Sequence, residues 1–165
     1  MRLILEGPDN AGKTSLANRL IEACPHIMYH HPGGKPATFQ DEVDCITEQL
    51  KWLDADNCIV DRITPISQRV YNPDAGIDKF RAEMLESFMM MNPIVVYCRP
   101  SDDRLMRFHD FTWRDGETEE HKQKIIHNQH EFIKRYDAIM LTVPHVTYNF
   151  DEPTGEVIFK KAVQA

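Results

Sequence analysis

From its first residue the chain repeats one pattern: a short apolar run, a polar or glycine-rich break, then a longer stretch with apolar residues every third or fourth position. Leu3 to Leu5 is the first such run, and Lys13 to Ala23 follows at helical spacing through Leu16, Ala17, Leu20 and Ile21. The pattern predicts strand, loop, helix. A second extended segment is "HIMYHH" at 26–31, stopped by "PGG" at 32–34. A helix from about Gln40 to Leu53 then carries Val43, Ile46, Leu50 and Leu53 on one face. "CIVD" at 58–61 predicts a third strand whose β-branched centre suits a buried parallel position.

Beyond Pro65 a short helix is expected to Tyr71, "NPDAG" turns the chain, and Ile77 to Met91 reads as a further helix. "IVVYC" at 94–98 is the fourth and clearest strand. "PSDDRLMRF" opens another helix that Ser101 or Asp102 can cap, and "HDFTWRDGET" breaks the pattern. A long helix follows from about Glu119 to Met140, then a strand, "HVTYNF", at 145–150 and a last helix near 155–163. Strands alternating with helices predict an α/β fold: a five-stranded parallel sheet covered by helices on both faces, in three layers.

The 165 residues are enough to bury one compact core and too few for two, so residues 1–165 are expected to form a single domain. With 42% hydrophobic and 27% charged residues the composition suggests neither disorder nor a membrane protein. No apolar run approaches the roughly 18 residues that span a bilayer, and Met1 leads straight into a strand without a signal peptide. The expectation is a cytoplasmic protein with no membrane partner. Cys24, Cys45, Cys58 and Cys98 are widely spaced with no C-x-x-C pair, and read as reduced, mostly buried residues. A formal charge of -7 disfavours duplex nucleic acid as a partner, because that affinity comes from neutralising phosphates with Lys and Arg.

The chemistry begins at the first break. "EGPDNAGKTS", Glu6 to Ser15, holds the phosphate-loop spacing G-x-x-x-x-G-K-[ST] at Gly7, Gly12, Lys13 and Thr14, between a strand and an amphipathic helix as the motif requires. Glycines let backbone N–H groups turn inward around an anion, and the helix N-terminus adds positive dipole. Gly7, Asn10, Ala11, Gly12, Lys13, Thr14 and Ser15 are therefore the predicted nucleotide-binding residues. Lys13 would reach the β- and γ-phosphates of ATP, and the Thr14 hydroxyl would ligate Mg²⁺. No guanine-reading N-K-x-D tetrapeptide occurs, which argues against a GTPase. The third strand ends in Asp61 and Arg62, so a cation stands where a remodelling ATPase would have a second carboxylate. Asp61 would help hold Mg²⁺, and Arg62 would clamp a second anion through bidentate hydrogen bonds. A magnesium-bound donor facing an arginine-bound acceptor is a layout for phosphoryl transfer.

These segments resemble the thymidylate kinases and the wider nucleoside monophosphate kinase family over nearly the whole chain. "LEGPDNAGKTS" resembles their phosphate loop, "HHPGGKP" at 30–36 their R-E-P-G-G-T loop, and "DRITPISQRVY" at 61–71 their D-R-Y-x-x-S-x-x-A-Y-Q segment. "RPSDDRLMRF" at 99–108 is similar to the stretch after their fourth strand, "KRYDAIM" at 134–140 to their closing helix, and the shortened middle is similar to short viral, bacteriophage-type members. The resemblance implies transfer from MgATP to a deoxynucleoside monophosphate, thymidylate first. Asp9 would face the acceptor sugar, Arg62 would bind its phosphate, and Ser67 and Tyr71 would line its pocket. Arg107 would sit at the base of a lid near the donor, with Arg104 and Arg114 as further lid arginines; the candidate lid itself is 109–120. Homodimers are common in that family.

Departures fall on the acceptor side. His30 and His31, before Pro32, replace Arg and Glu; either could hydrogen-bond an acceptor group. The aromatic residue that stacks on the base has only Phe39 and Trp52 as candidates. Two other readings stay open: a kinase whose acceptor is a hydroxyl, of a deoxynucleoside, a small metabolite or a modified base in DNA, with Asp9 or Asp61 taking the proton; and a non-catalytic nucleotide-binding module. His121, His127 and His130 lack the carboxylate or cysteine partners of a zinc site, and "FMMM" at 88–91 reads as core packing.

Overall fold

The computed structural model describes residues 1–101 and 118–150. Strands β1 (Arg2–Glu6), β2 (Met28–His30), β3 (Cys58–Asp61), β4 (Ile94–Cys98) and β5 (Val146–Tyr148) form one sheet in the order β2-β3-β1-β4-β5. Every neighbouring pair is parallel. Helices α1 (Lys13–Ala23), α2 (Phe39–Asp54), α3 (Thr64–Tyr71), α4 (Asp78–Met90) and α5 (Glu119–Met140) connect them. The expected α/β architecture is thus present.

All four residues of β3 and the last four of β1 and β4 are buried, so these strands lack polar alternation, as a sheet covered on both faces requires. Leu3, Leu5, Ile59 and Val96 pack with Leu16, Ala17 and Leu20 of α1. The intervening residues Ile4, Val60 and Val95 point the other way, into a core completed by α2, α3, α4 and α5. Inside that second layer Arg81 of α4 donates from Nε and Nη2 to Glu42 of α2, at 2.7 and 2.9 Å, and from Nη1 to the carbonyl of Asn72, at 2.9 Å. Both partners are buried, so a bidentate ion pair locks three helices together.

Element ends differ slightly from expectation, for local reasons. α2 starts at Phe39 because Thr38 caps it: the Asp41 amide donates to the Thr38 hydroxyl at 3.1 Å and the Thr38 amide to the Asp41 carboxylate at 2.9 Å. β2 is shorter than 26–31 because the Ile27 amide is spent on a turn, donating to Cys24, and pairing with β3 starts at Met28. α3 starts one residue before Pro65, which occupies a first-turn position where no helical N–H is lost. The helix expected after Arg99, the candidate lid as far as residue 117, Arg104, Arg107, Arg114 and the last helix near 155–163 lie outside the described residues. Among the described residues no helix is long and apolar enough to cross a membrane.

Candidate functional site

The carboxyl ends of β1 and β3 converge on the sheet edge where ligands bind in such folds. β1 runs directly into Gly7, whose φ of 141° is open only to glycine, and a Cβ there would collide with the Cys98 carbonyl oxygen. Asn10 and Gly12 also have positive φ, 56° and 81°. The chain therefore curls through Asp9, Asn10 and Ala11 before entering α1. Gly12 is the N-cap of α1 and supplies no side-chain cap, which leaves the first amides of the helix, including those of Thr14 and Ser15, for an anion. Lys13 folds back across the loop and donates from Nζ to the carbonyls of Gly7, at 2.9 Å, and Pro8, at 2.6 Å. Burial, and next the nearby Arg62 guanidinium, pull its ammonium down to about 8.

Arg62 follows β3 with φ of 69°, a left-handed conformation that costs a non-glycine residue free energy. Its own amide donates to Leu5 at 2.8 Å and its carbonyl accepts from Gln49 Nε2 at 3.3 Å. The next amide, Ile63, donates to Glu6 Oε1 at 2.6 Å, and that of Thr64 to Gln49 Oε1 at 2.8 Å. So held, the guanidinium crosses to the phosphate loop, donating to Asp9 Oδ1 at 2.6 Å and the Gly7 carbonyl at 3.3 Å. It also lies over the Tyr71 ring, 5.2 Å from its centre, and donates to the hydroxyl at 3.2 Å.

Beside this arginine lies a cavity of about 480 Å³. Of the acceptor residues expected from sequence, Asp9, His31, Pro32, Arg62, Ser67 and Tyr71 line it together. Ser67 contributes a buried hydroxyl with no hydrogen-bond partner. Sequence reasoning missed Gln49, Gln68 and Phe132 in its wall, and the cations Lys35 and Lys124. Phe39 is a correction: it does not line the cavity but packs edge-on against Phe80, 5.1 Å away, because the Thr38 cap fixes it in the first turn of α2. His30 does not line it either; its ring stacks on Trp52 at 4.9 Å, which also occupies Trp52. Burial holds the His30 imidazole below its ordinary value.

Asp61 is buried at the end of β3; its Oδ2 accepts from the Tyr29 hydroxyl at 2.7 Å and lies 3.5 Å from His31 Nδ1. Its Oδ1 has no partner. An unsatisfied carboxylate oxygen at the same edge as the Thr14 hydroxyl is the donor set a hard cation takes, so the residues fit Mg²⁺. No group of three or more His, Cys, Asp or Glu able to hold a metal by itself exists among the described residues.

Glu6, fully buried at the head of the phosphate loop, is a further residue to which no sequence motif assigns a role. Burial pushes its carboxyl up to about 7, against the opposing pull of the Ile63 amide, Arg62 and Lys13. Its Oε2 has no partner.

No protein-family model matches the sequence, and no curated protein is significantly similar to it. Solved structures are similar in shape. The YorR protein of Bacillus subtilis, in complex with phosphorylated GDP, aligns over 99% of this chain and 97% of its own at 18% identity and a TM-score of 0.68. Deoxyadenosine kinase from M. mycoides with bound dATP aligns over the full length of both chains at 17% identity and 0.56. A gluconokinase from Sinorhizobium meliloti 1021 covers 99% of this chain and 89% of its own at 13% identity and 0.56. The chain has the P-loop kinase fold. In this P-loop kinase fold the motif Gly7–Thr14 closes β1 and the cavity lies alongside. The neighbours do not single out thymidylate kinases or viral proteins, and at these identities the likeness carries the architecture alone.

Proposed function

We propose that this chain is a P-loop kinase that transfers the γ-phosphoryl group of MgATP to a deoxynucleoside monophosphate, with thymidylate the first acceptor to try. The observation that carries the reading is Arg62: an arginine with a left-handed backbone whose hydrogen-bonded guanidinium is set between the phosphate loop and a cavity of nucleotide size. The uncapped start of α1 and the Gly7–Gly12 curl would hold the donor phosphates. Mg²⁺, held by Thr14 and Asp61, would neutralise charge on the transferring phosphoryl group. Lys13 would release its two loop carbonyls to bridge the donor phosphates, and Arg62 would hold the acceptor phosphate in line. An acceptor oxygen then attacks the γ-phosphorus, the bond to the bridging oxygen breaks, and ADP departs. A phosphate dianion needs no general base.

A second reading is favoured by one observation. His31 lines the cavity with Nδ1 beside buried Asp61, and Asp9 also lines it, so groups able to take a proton from a hydroxyl acceptor are present. A deoxyadenosine kinase and a gluconokinase among the similar folds keep that acceptor class in view.

The test is product formation from MgATP with a panel of deoxynucleoside and nucleoside monophosphates, nucleosides and a hydroxymethylated DNA oligonucleotide, resolved by chromatography. Conversion of a dNMP to its diphosphate, falling about a hundredfold or more in Arg62→Ala, supports the first reading. Phosphorylation of hydroxyl acceptors alone replaces it with the second. Tight ATP binding without turnover on any acceptor means a non-catalytic module.

A further inference from the structure

The peptide around Arg62 holds a conformation that its own chain does not favour. A left-handed arginine persists only where the surroundings over-determine it. Three of the four backbone bonds around Arg62 end on side chains from elsewhere in the fold: its carbonyl on Gln49 Nε2, the Ile63 amide on Glu6 Oε1, the Thr64 amide on Gln49 Oε1. Glu6 and Gln49 are both buried, and they come from two separate elements, β1 and α2. Gln49 spends both of its polar atoms on two consecutive peptide groups here, the Arg62 carbonyl and the Thr64 amide. Nothing about phosphate binding requires a buried glutamine on α2 or a buried glutamate before Gly7.

We propose that Glu6 and Gln49 are positioning residues that clamp Arg62 in its left-handed conformation and so aim the guanidinium into the acceptor cavity. The clamp rests on the reading of Arg62 as the acceptor-phosphate residue. Releasing it lets the Arg62 peptide relax toward ordinary φ, which swings the side chain away from Asp9 and the Gly7 carbonyl. Acceptor binding then weakens, while the donor loop, built from Gly7 to Thr14, is left intact.

Kinetics and structure test this separately. Gln49→Leu and Gln49→Met, of similar volume, are expected to raise the acceptor KM about tenfold, the cost of one to two lost hydrogen bonds, and leave the ATP KM within about twofold. Glu6→Leu is expected to do the same, and Glu6→Gln, which keeps an oxygen for the Ile63 amide, to restore the acceptor KM. Equal rises in both KM values, or a fall in kcat alone, would overturn the clamp. A structure of Gln49→Met should find Arg62 outside the left-handed region; an unchanged Arg62 would also overturn it. Hydrogen exchange in the wild-type protein needs no variant to fold: the Ile63 and Thr64 amides should exchange only on global unfolding, and rapid exchange would sink the idea. If wild-type protein phosphorylates nothing, the functional reading fails, and the structural and exchange measurements still decide the clamp.

Discussion

Glu6 sets the sharpest expectation at the scale of single residues. A carboxyl held near 7 when folded, against an ordinary value of 4.5, binds its proton more tightly in the native state. Stability from this group is complete below pH 4.5 and is lost as pH rises through 7, the reverse of a salt-bridged carboxylate. At about pH 8 the ionised form should cost up to ~3 kcal/mol. Glu6→Gln is therefore expected to be the more stable protein there by about that amount, with the two converging toward pH 5. Urea unfolding of both across that range checks it, and a pH-independent gap would mean that Glu6 does not titrate as described. Residues of this kind are where the sequence was hardest to read. Lys13 could be named from motif spacing and Arg62 from the end of a strand, while Ser67 and Tyr71 were named only through the family resemblance; the structure brings Arg62, Ser67 and Tyr71 to one cavity. Glu6 and Gln49 belong to no such motif, since a lone polar side chain looks the same on paper whether solvated or buried. The usable signal was position: Glu6 ends an apolar run, and Gln49 lies between Ile46 and Leu53 on the buried stripe of α2. Phe39 failed in the opposite sense, because an aromatic residue beside a cap packs locally before it can reach a ligand.

At the scale of elements, hydrophobic period found the strands and helices of the described chain, and only their ends moved, by caps and turns that depend on single hydrogen bonds. The junction of β1 with the phosphate loop is the least forgiving of these elements. Gly7→Ala would drive its Cβ against the Cys98 backbone carbonyl, at a φ that L residues rarely adopt. A loss of about 2 kcal/mol or more is expected from the strain, with ATP affinity falling as the loop is displaced. Thermal unfolding with and without MgATP measures both effects; a variant that unfolds like the wild type and still gains stability from nucleotide would show that β4 can yield at Cys98.

At the scale of the molecule, the parallel order followed from alternation of elements, but the lock between α2, α3 and α4 did not, since Glu42 and Arg81 are 39 residues apart and each looks like a solvated helix charge. Arg81→Met would strand a buried carboxylate and is expected to cost about 3–5 kcal/mol, whereas adding Glu42→Leu should recover most of the loss. Chemical denaturation of the two variants measures the difference; equal stabilities would mean the pair is screened by water. The sheet order also dictates when the site can exist during synthesis. β1 is made first, yet it pairs only with β3 and β4, so it has no partner until residue 58 emerges and no second one until residue 94. The Cys98 carbonyl against which Gly7 rests comes later still. At about 5–20 residues per second, the nascent chain carries its nucleotide motif unfolded for roughly 5 to 20 seconds. A ligand held by this loop would thus stabilise the finished fold but could not template its beginning, and a ribosome stalled before β4 would display a complete phosphate-loop sequence with no wall to close it.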